Sequence, residues 1–389
     1  MTHPSPLHPA FADLGVDFLP WGPPDAPIPI ALAFDEPAIE YAAVRKAAAL
    51  ADLPALGIVE ITGSERGDFL DRMLTRRIST LEPRRTARAL WLGRTGRIAA
   101  DLLLLELGDR TLALLDALDV PSFIESLSSY LFAEDVALAD RTAGLHAIAL
   151  QGPAAADLLA RHAETLEGPP PTDLPESHAA LLRIEGTRVT ALRDDATGAP
   201  GFLLIAPTDA IPDLWSKLVR DEQSPARPLG WAAFNVARIE AGRPLFRVDY
   251  GPDSLPHETG IVRQLVAFDQ RCYLGQEIVA RMESRGHPKQ LVVGLDVEGE
   301  PDETGLAPLP ETGAAIFARP NTDSDTDKPV GAVTSSTISP MRGGRAIALA
   351  MVRYAHTPPG TELFIELDAD TRIRATVRES LRSLPTPRP

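Results

Sequence analysis

The sequence predicts an α+β chain that ends in an all-β barrel or sandwich. Two patterns carry that expectation. Between residues 41 and 219, apolar residues recur at both strand and helix spacing, so short strands and helices interleave. After Gln290 the helical period disappears, and short β-type runs alternate with turns rich in Gly, Pro and Asp. A length of 389 residues allows two or three domains with full cores.

In chain order, residues 1–35 are proline-rich (Trp21-Gly22-Pro23-Pro24, Pro27-Ile28-Pro29) and read as a loosely held lead-in. The Ala-rich run from Tyr41 to Leu50 reads as a helix, and Gly57 to Thr62 as a strand. Ser64 is the candidate N-cap of a helix with Phe69, Leu70, Met73 and Leu74 on one face. Strands follow at 89–92, 98–107 and 111–115. Asp119 and Pro121 then open a helix that buries Phe123, Leu127, Tyr130 and Leu131. A second unit begins near His146, with a strand at 147–150, a Gln151-Gly152-Pro153 turn and a helix over 154–160. After the Gly168-Pro169-Pro170-Pro171 breaker come strands at 180–184, 188–192 and 201–205. A helix carrying Ile211, Leu214, Trp215 and Leu218 closes this α+β, ferredoxin-like unit. The C-terminal strands are expected at 291–295, 315–317, 330–333, 346–352, 363–367 and 373–377, with Gly343-Gly344 as a hairpin turn. Asn321 to Asp327 reads as a solvated acidic loop, with calcium binding the sharper alternative, and the tail 381–389 as disordered. The expected boundaries are 1–35, then 36–144 together with 225–289, then 145–224, 290–380 and 381–389.

Bulk composition excludes several functions. With 38 Lys and Arg against 54 Asp and Glu, the net charge is −16; such a surface repels phosphate backbones and disfavours direct nucleic-acid binding. A single Cys and a start without a basic or apolar leader point to the cytoplasm. The most apolar stretch, Ile98 to Leu118, is broken by Asp101, Glu106, Asp109 and Arg110, so no membrane partner is expected. The histidines lack HxxxH or HxH spacing, and no phosphate-cradling glycine loop follows a strand, so neither a metal nor a nucleotide is expected.

The most specific feature is the run Gln270-Arg271-Cys272-Tyr273-Leu274-Gly275-Gln276-Glu277-Ile278-Val279-Ala280-Arg281. Taken alone, one cysteine reads as a small buried apolar side chain. A thiol just ahead of a helix N-terminus, with a cation near, is instead in a setting that makes it reactive. Cys272 is therefore the candidate catalytic residue, with Tyr273, Gly275, Gln276, Glu277 and Arg281 shaping its loop.

Two further positions carry chemistry. Asp101 starts the apolar run Leu102 to Leu105, whose strand looks buried on both faces, and a carboxylate there needs a partner or a purpose. The plain alternative is a polar residue on the wet side of the strand. Arg238 and Glu240, two apart in Arg-Ile-Glu-Ala-Gly, share a face if the stretch is extended and could enter one polar pocket. For Glu240 a structural ion pair is the competing reading.

The Cys-Tyr-x-Gly-Gln-Glu run resembles the Lys-Gly-Cys-Tyr-x-Gly-Gln-Glu signature of the YgfZ family, folate-binding proteins related to the glycine-cleavage T-protein, an aminomethyltransferase. Gln270 and Arg271 replace its Lys and Gly. Other segments resemble the same family in order: Ala49 to Leu53 with Val59 to Gly63, Gly96 to Asp101, His146 to Pro153, Arg238 to Pro244, and Val330 to Ser335 with Ser339-Pro340. The resemblance, from about Tyr41 to Val377, implies a three-domain ring around a central folate site, with two α+β domains, one of them ferredoxin-like, and a C-terminal β-barrel. It implies tetrahydrofolate as the cofactor, with Asp101 beside the pterin and the folate nitrogens, and Arg238 and Glu240 near the folate. Aminomethyltransferases carry Thr-Gly-Glu-x-Gly where this chain has Thr197-Gly198-Ala199-Pro200-Gly201, so a pterin-gripping carboxylate is missing. The first expectation is thus a one-carbon-transferase-like protein without classical aminomethyltransferase activity. It would use reduced folate and a reactive cysteine to support iron–sulfur client or assembly proteins, with a tRNA-modification link that is indirect. The alternatives are a true aminomethyltransferase working with a lipoyl carrier, and a non-catalytic scaffold of the same fold.

Overall fold

A computed structural model describes residues 4–269, 272–299, 307–320, 328–368 and 371–384. The chain divides into two compact units. The first comprises the described residues of Met1–Leu92, Ala99–Phe234 and Asp269–Leu274, and the second those of Gly93–Ile98, Asn235–Phe268 and Gly275–Pro389.

The first unit opens with helix α1 (His8–Asp13) and the hairpin β1 (Asp17–Trp21) and β2 (Ile28–Ala33). Then come α2 (Pro37–Lys46), β3 (Ala49–Asp52), β4 (Leu56–Thr62), α3 (Arg66–Met73), β5 (Thr86–Leu92), β6 (Ile98–Glu106), β7 (Arg110–Asp116), α4 (Val120–Ser128) and β8 (Ala137–Asp140). The unit continues with β9 (Leu145–Gln151), α5 (Ala155–His162), β10 (Ala163–Glu167), β11 (Ala179–Ile184), β12 (Thr187–Arg193), β13 (Gly201–Pro207), α6 (Ile211–Val219) and β14 (Arg227–Pro228). Two sheets result, one ordered β5-β6-β7-β4-β8 and one ordered β10-β11-β12-β13-β9-β3-β14.

Strand alternation explains why these strands are apolar on both sides. Val59 and Ile61 of β4 pack with Phe69, Leu70 and Met73 of α3 and Phe123 and Leu127 of α4. Ile58, on the other side of the pleat, joins Leu112 and Leu114 against Ala147, Leu203 and Ile205 of the second sheet. The far face of that second sheet holds Ile148, Leu150 and Leu204 against Leu158 and Leu159 of α5 and Ile211, Leu214, Trp215 and Leu218 of α6. A sheet covered on both faces needs continuous apolar runs, which is what the sequence has at 102–105 and 202–206.

Helix α7 (Trp231–Glu240) has its first turn in the first unit and its remainder in the second. The second unit continues through a 3-10 turn (Pro256–Thr259), α8 (Val262–Leu265) and α9 (Gln276–Arg285). It ends in β15 (Gln290–Val297), β16 (Ala315–Phe317), β17 (Gly331–Ser339), β18 (Arg345–Arg353), β19 (Glu362–Glu366) and β20 (Arg372–Val377). These six strands close into a barrel ordered β15-β18-β17-β16-β19-β20, filled by Leu295, Ile316, Val333, Ala348, Ala350, Leu363 and Ile365. The barrel form of the C-terminal expectation therefore holds, with Gly343 and Gly344 at positive φ in the turn before β18.

Four expectations change. The lead-in is packed, not loose: Leu7, Phe11, Ile28 and Ala31 are buried, and Phe11 sets its ring against Phe34 and Trp215. The Ala-rich helix stops at Lys46, because Ala49–Asp52 is taken by the sheet beside β9 and β14. Tertiary pairing there overrides the helix propensity of alanine. Ser64 does not cap α3; Glu65 holds the N-cap, while Ser64 Oγ donates to Asp135 Oδ2 at 2.8 Å. In the tail, Ser383 and Leu384 donate backbone N–H bonds to the Glu240 carbonyl, so residues 381–384 are ordered against the end of α7. The rest of that tail (385–389) and the acidic loop 321–327 lie outside the described residues.

The second unit is built around Arg238, only 1% exposed, and Asp249, whose side chain is fully buried. Arg238 Nη1 pairs with Asp249, Nη2 donates to Ser335 Oγ at 2.5 Å and Nε to Asn235 Oδ1 at 2.8 Å. Asp249 also accepts from Thr334 Oγ1 and Ser335 Oγ, each at 2.7 Å, and from the Leu245 N–H. Successive residues of a regular strand face opposite ways, but β17 has a register shift between Val333 and Ser335 that lets both hydroxyls reach one carboxylate. Asp249→Ala should cost about 3–5 kcal/mol in urea unfolding, because it strands a buried guanidinium. A loss under 1 kcal/mol, roughly the value of a surface pair, would show that the pair is not structural.

Candidate functional site

Asp101 lies on β6, and its carboxylate is paired across the sheet with Arg88 of β5, Nη2 to Oδ2 2.7 Å. The side chains are 11% and 23% exposed respectively. Arg76 Nε donates to the Arg88 carbonyl at 3.2 Å, and burial lowers the Arg76 pKa against the opposing pull of Asp269. The partner that a carboxylate on this strand needs is therefore Arg88, a residue the sequence reasoning missed. The signal for it was present: residues 88 and 101 stand almost symmetrically about the Gly93–Gly96 turn, where the Gly93 N–H bonds the Arg97 carbonyl.

The cysteine loop has a fixed and an open side. Cys272 is exposed. Tyr273 beside it is buried, and burial pushes its phenol up to about 12. The Leu274 N–H donates to the Arg72 carbonyl at 3.0 Å, which ties the loop to the end of α3. Gly275 is the N-cap of α9 and takes φ 80°, a conformation that glycine adopts without steric cost. Glu277 is exposed in the first turn, where its charge suits the helix dipole; Gln276 is half-buried and Arg281 exposed. Cys272 precedes this N-cap with Tyr273 and Leu274 between them. Gln270 and Arg271 lie outside the described residues.

Arg238 and Glu240 occupy the last turn of α7, not an extended stretch, so they do not share a face. They have separate partners. Arg238 is committed to Asn235, Asp249, Ser335 and the Arg243 carbonyl. Glu240, fully buried, accepts from Ser339 Oγ at 2.5 Å and from the Met341 N–H. An apolar 231–237 with Gly242 at positive φ just beyond was the signal for a helix ending here.

At the position expected to lack a pterin carboxylate, the loop is tightly held. Arg45 Nη1 donates to the Thr197 carbonyl at 2.7 Å, Thr197 Oγ1 donates to Gln151 Oε1 at 3.0 Å, and Ala199 is buried. A surface groove of about 770 Å³ beside α6, lined by residues including His162, Lys217 and Asp221, contains none of these positions. Among the described residues, no group of three or more His, Cys, Asp or Glu is placed to hold a metal ion. No helix among them is long and apolar enough to cross a membrane.

Comparison with known proteins matches residues 13–270 to the GCVT N-terminal domain and residues 292–381 to the glycine cleavage T-protein C-terminal barrel domain. The chain belongs to the GcvT-like aminomethyltransferase family. Relatives named aminomethyltransferase include one from Corynebacterium aurimucosum, 28% identical and covering 93% of each chain. Another, from Bacillus cytotoxicus, is 26% identical and covers 98% of this chain and 97% of the relative. The crystal structure of glycine cleavage system aminomethyltransferase T from Bartonella henselae superposes with a TM-score of 0.83 over 97% of both chains. At 22% identity that likeness establishes the GcvT-type fold.

Helix α9 is anchored inside the second unit by a half-buried histidine. His257 Nε2 lies 3.2 Å from Glu283 of α9, Arg263 of α8 pairs with the same carboxylate, and the imidazole meets the Phe268 ring edge-on. Burial lowers the His257 pKa, with Glu283 opposing. A folded pKa below the unfolded one gives stability that is present above about pH 6.5 and is lost as pH falls through the folded value. Wild type should therefore lose more unfolding free energy than His257→Gln between about pH 7 and about pH 5. Parallel pH profiles would remove His257 from this role.

Proposed function

We propose that this protein binds a reduced folate, tetrahydrofolate, and handles its one-carbon unit on the aminomethyltransferase fold. The observation that carries the reading is Asp101, a largely buried carboxylate on β6 within the family-matched region. Such a group can accept N–H bonds from a reduced pterin. The donor set fits a pterin at Asp101 and lacks the second carboxylate at Ala199.

Aminomethyl transfer is the reading that the relatives' names favour, ahead of the YgfZ-type role expected first from the sequence. Two residues of this chain favour the second reading, a folate protein that supports iron–sulfur enzymes through a reactive thiol. Ala199 cannot accept a pterin N–H, and Cys272 is exposed within Cys-Tyr-Leu-Gly-Gln-Glu.

Calorimetric titration with tetrahydrofolate tests the shared core of both readings. Binding is expected, and Asp101→Ala should weaken it by about 1–3 kcal/mol; unchanged affinity would move the site elsewhere. Turnover with an aminomethyl-loaded lipoyl carrier separates the two readings. Robust transfer selects the first, and folate binding without transfer selects the second.

A separate test addresses Cys272. Under the second reading, Cys272→Ser leaves folding and folate affinity intact but abolishes support of iron–sulfur enzyme activity in a deletion strain. Full complementation by the Ser variant, with alkylation of the native thiol no faster than in a denatured control, would make the cysteine a bystander.

A further inference from the structure

We infer that Arg88 sets the charge preference of the folate site, making this chain favour reduced folates with an uncharged ring system over those whose ring carries a positive charge; the inference rests on the folate reading above. Asp101 is the residue expected to face a one-carbon unit, and a lone carboxylate in a half-dry setting would attract a cation strongly. This carboxylate is not alone. Arg88 Nη2 stands 2.7 Å from Oδ2, and both side chains are shielded enough from solvent that salt screens the pair weakly.

Arg76 donates to the Arg88 carbonyl and interacts with Asp269, so a second guanidinium stands close to the pair. An ion-paired carboxylate keeps its value as a hydrogen-bond acceptor. Its field beyond the pair is largely cancelled. A neutral ring that donates N–H bonds loses little by this arrangement, whereas a cationic folate loses the electrostatic part of its binding. Arg88 thus acts through Asp101 as a positioning residue that also compensates charge.

The test compares two probes of similar shape and the same glutamate tail, tetrahydrofolate with an uncharged pterin and methenyltetrahydrofolate with a positively charged ring, in rapid tryptophan-fluorescence titrations of the full chain. Wild type, Arg88→Met, Arg88→Gln and Arg88→Lys are measured, with thermal melts confirming that each is folded. Removing the charge in Arg88→Met or Arg88→Gln should shift the affinity ratio toward the cation by about tenfold or more, while Arg88→Lys keeps the wild-type ratio. A purely structural role would lower both affinities together. A ratio unchanged in both neutral variants, with both folates binding measurably, overturns the inference and leaves the folate reading standing. Binding of neither folate to the wild type overturns the folate reading and this inference with it.

Discussion

The second unit depends on the buried pair of Arg238 and Asp249. Taking both charges out of water costs several kcal/mol per ion in effective terms, so the pair persists only because its remaining hydrogen-bonding capacity is filled. Asn235 and the Arg243 carbonyl take guanidinium donors on the helix side, and Ser335 and Thr334 complete the carboxylate from the barrel side. Two residues on, Glu240 repeats the scheme with Ser339 and the Met341 N–H. The register of α7 against β17 is thereby set by charge-assisted bonds that tolerate no slip. Gly242 follows at a positive φ, and a Cβ there would fall 2.3 Å from the Arg382 backbone nitrogen, so the same turn also receives the C-terminal segment.

The first unit uses one buried carboxylate in a comparable way. Glu40, fully buried on α2, accepts from the backbone N–H groups of Phe34, Asp35 and Gly230. Those contacts fasten the N-terminal hairpin and the residue just ahead of α7 to one helix. A Cβ at Gly230 would lie 2.4 Å from the Leu32 carbonyl oxygen, which is why glycine stands at that crossing. Proline content alone reads as a loose leader. The residues that decide the matter are the apolar Leu7, Phe11 and Ile28 between the prolines, each buried.

What was legible in the sequence follows from range. Elements governed by their own periodicity came through: α4, α6, the strands 98–107 and 201–205, and the six barrel runs all fall where their apolar spacing puts them. Elements decided by a distant partner did not. Ala49 and Leu50 look like the end of an alanine helix until β9 pairs with them from about a hundred positions away. Arg238 and Glu240 looked like two groups aimed at one ligand because their protein partners, Ser335 and Ser339, lie 97 and 99 positions along the chain. The candidate site divides in the same manner. That Asp101 needs a partner was readable locally from its apolar strand, while Arg88 as that partner required the hairpin to be folded first.

The local charge around the two candidate chemical groups limits what each can do. At Asp101 the charge is paired with Arg88, and position 199 carries no carboxylate. The chain as a whole carries −16, yet this carboxylate faces a guanidinium at 2.7 Å, so its own charge is offset locally. Cys272 is exposed and stands three positions before the Gly275 N-cap of α9. An exposed thiol is open to whatever approaches from solvent, whereas the Asp101 carboxylate is held within its sheet by Arg88, so the two groups differ in what can reach them.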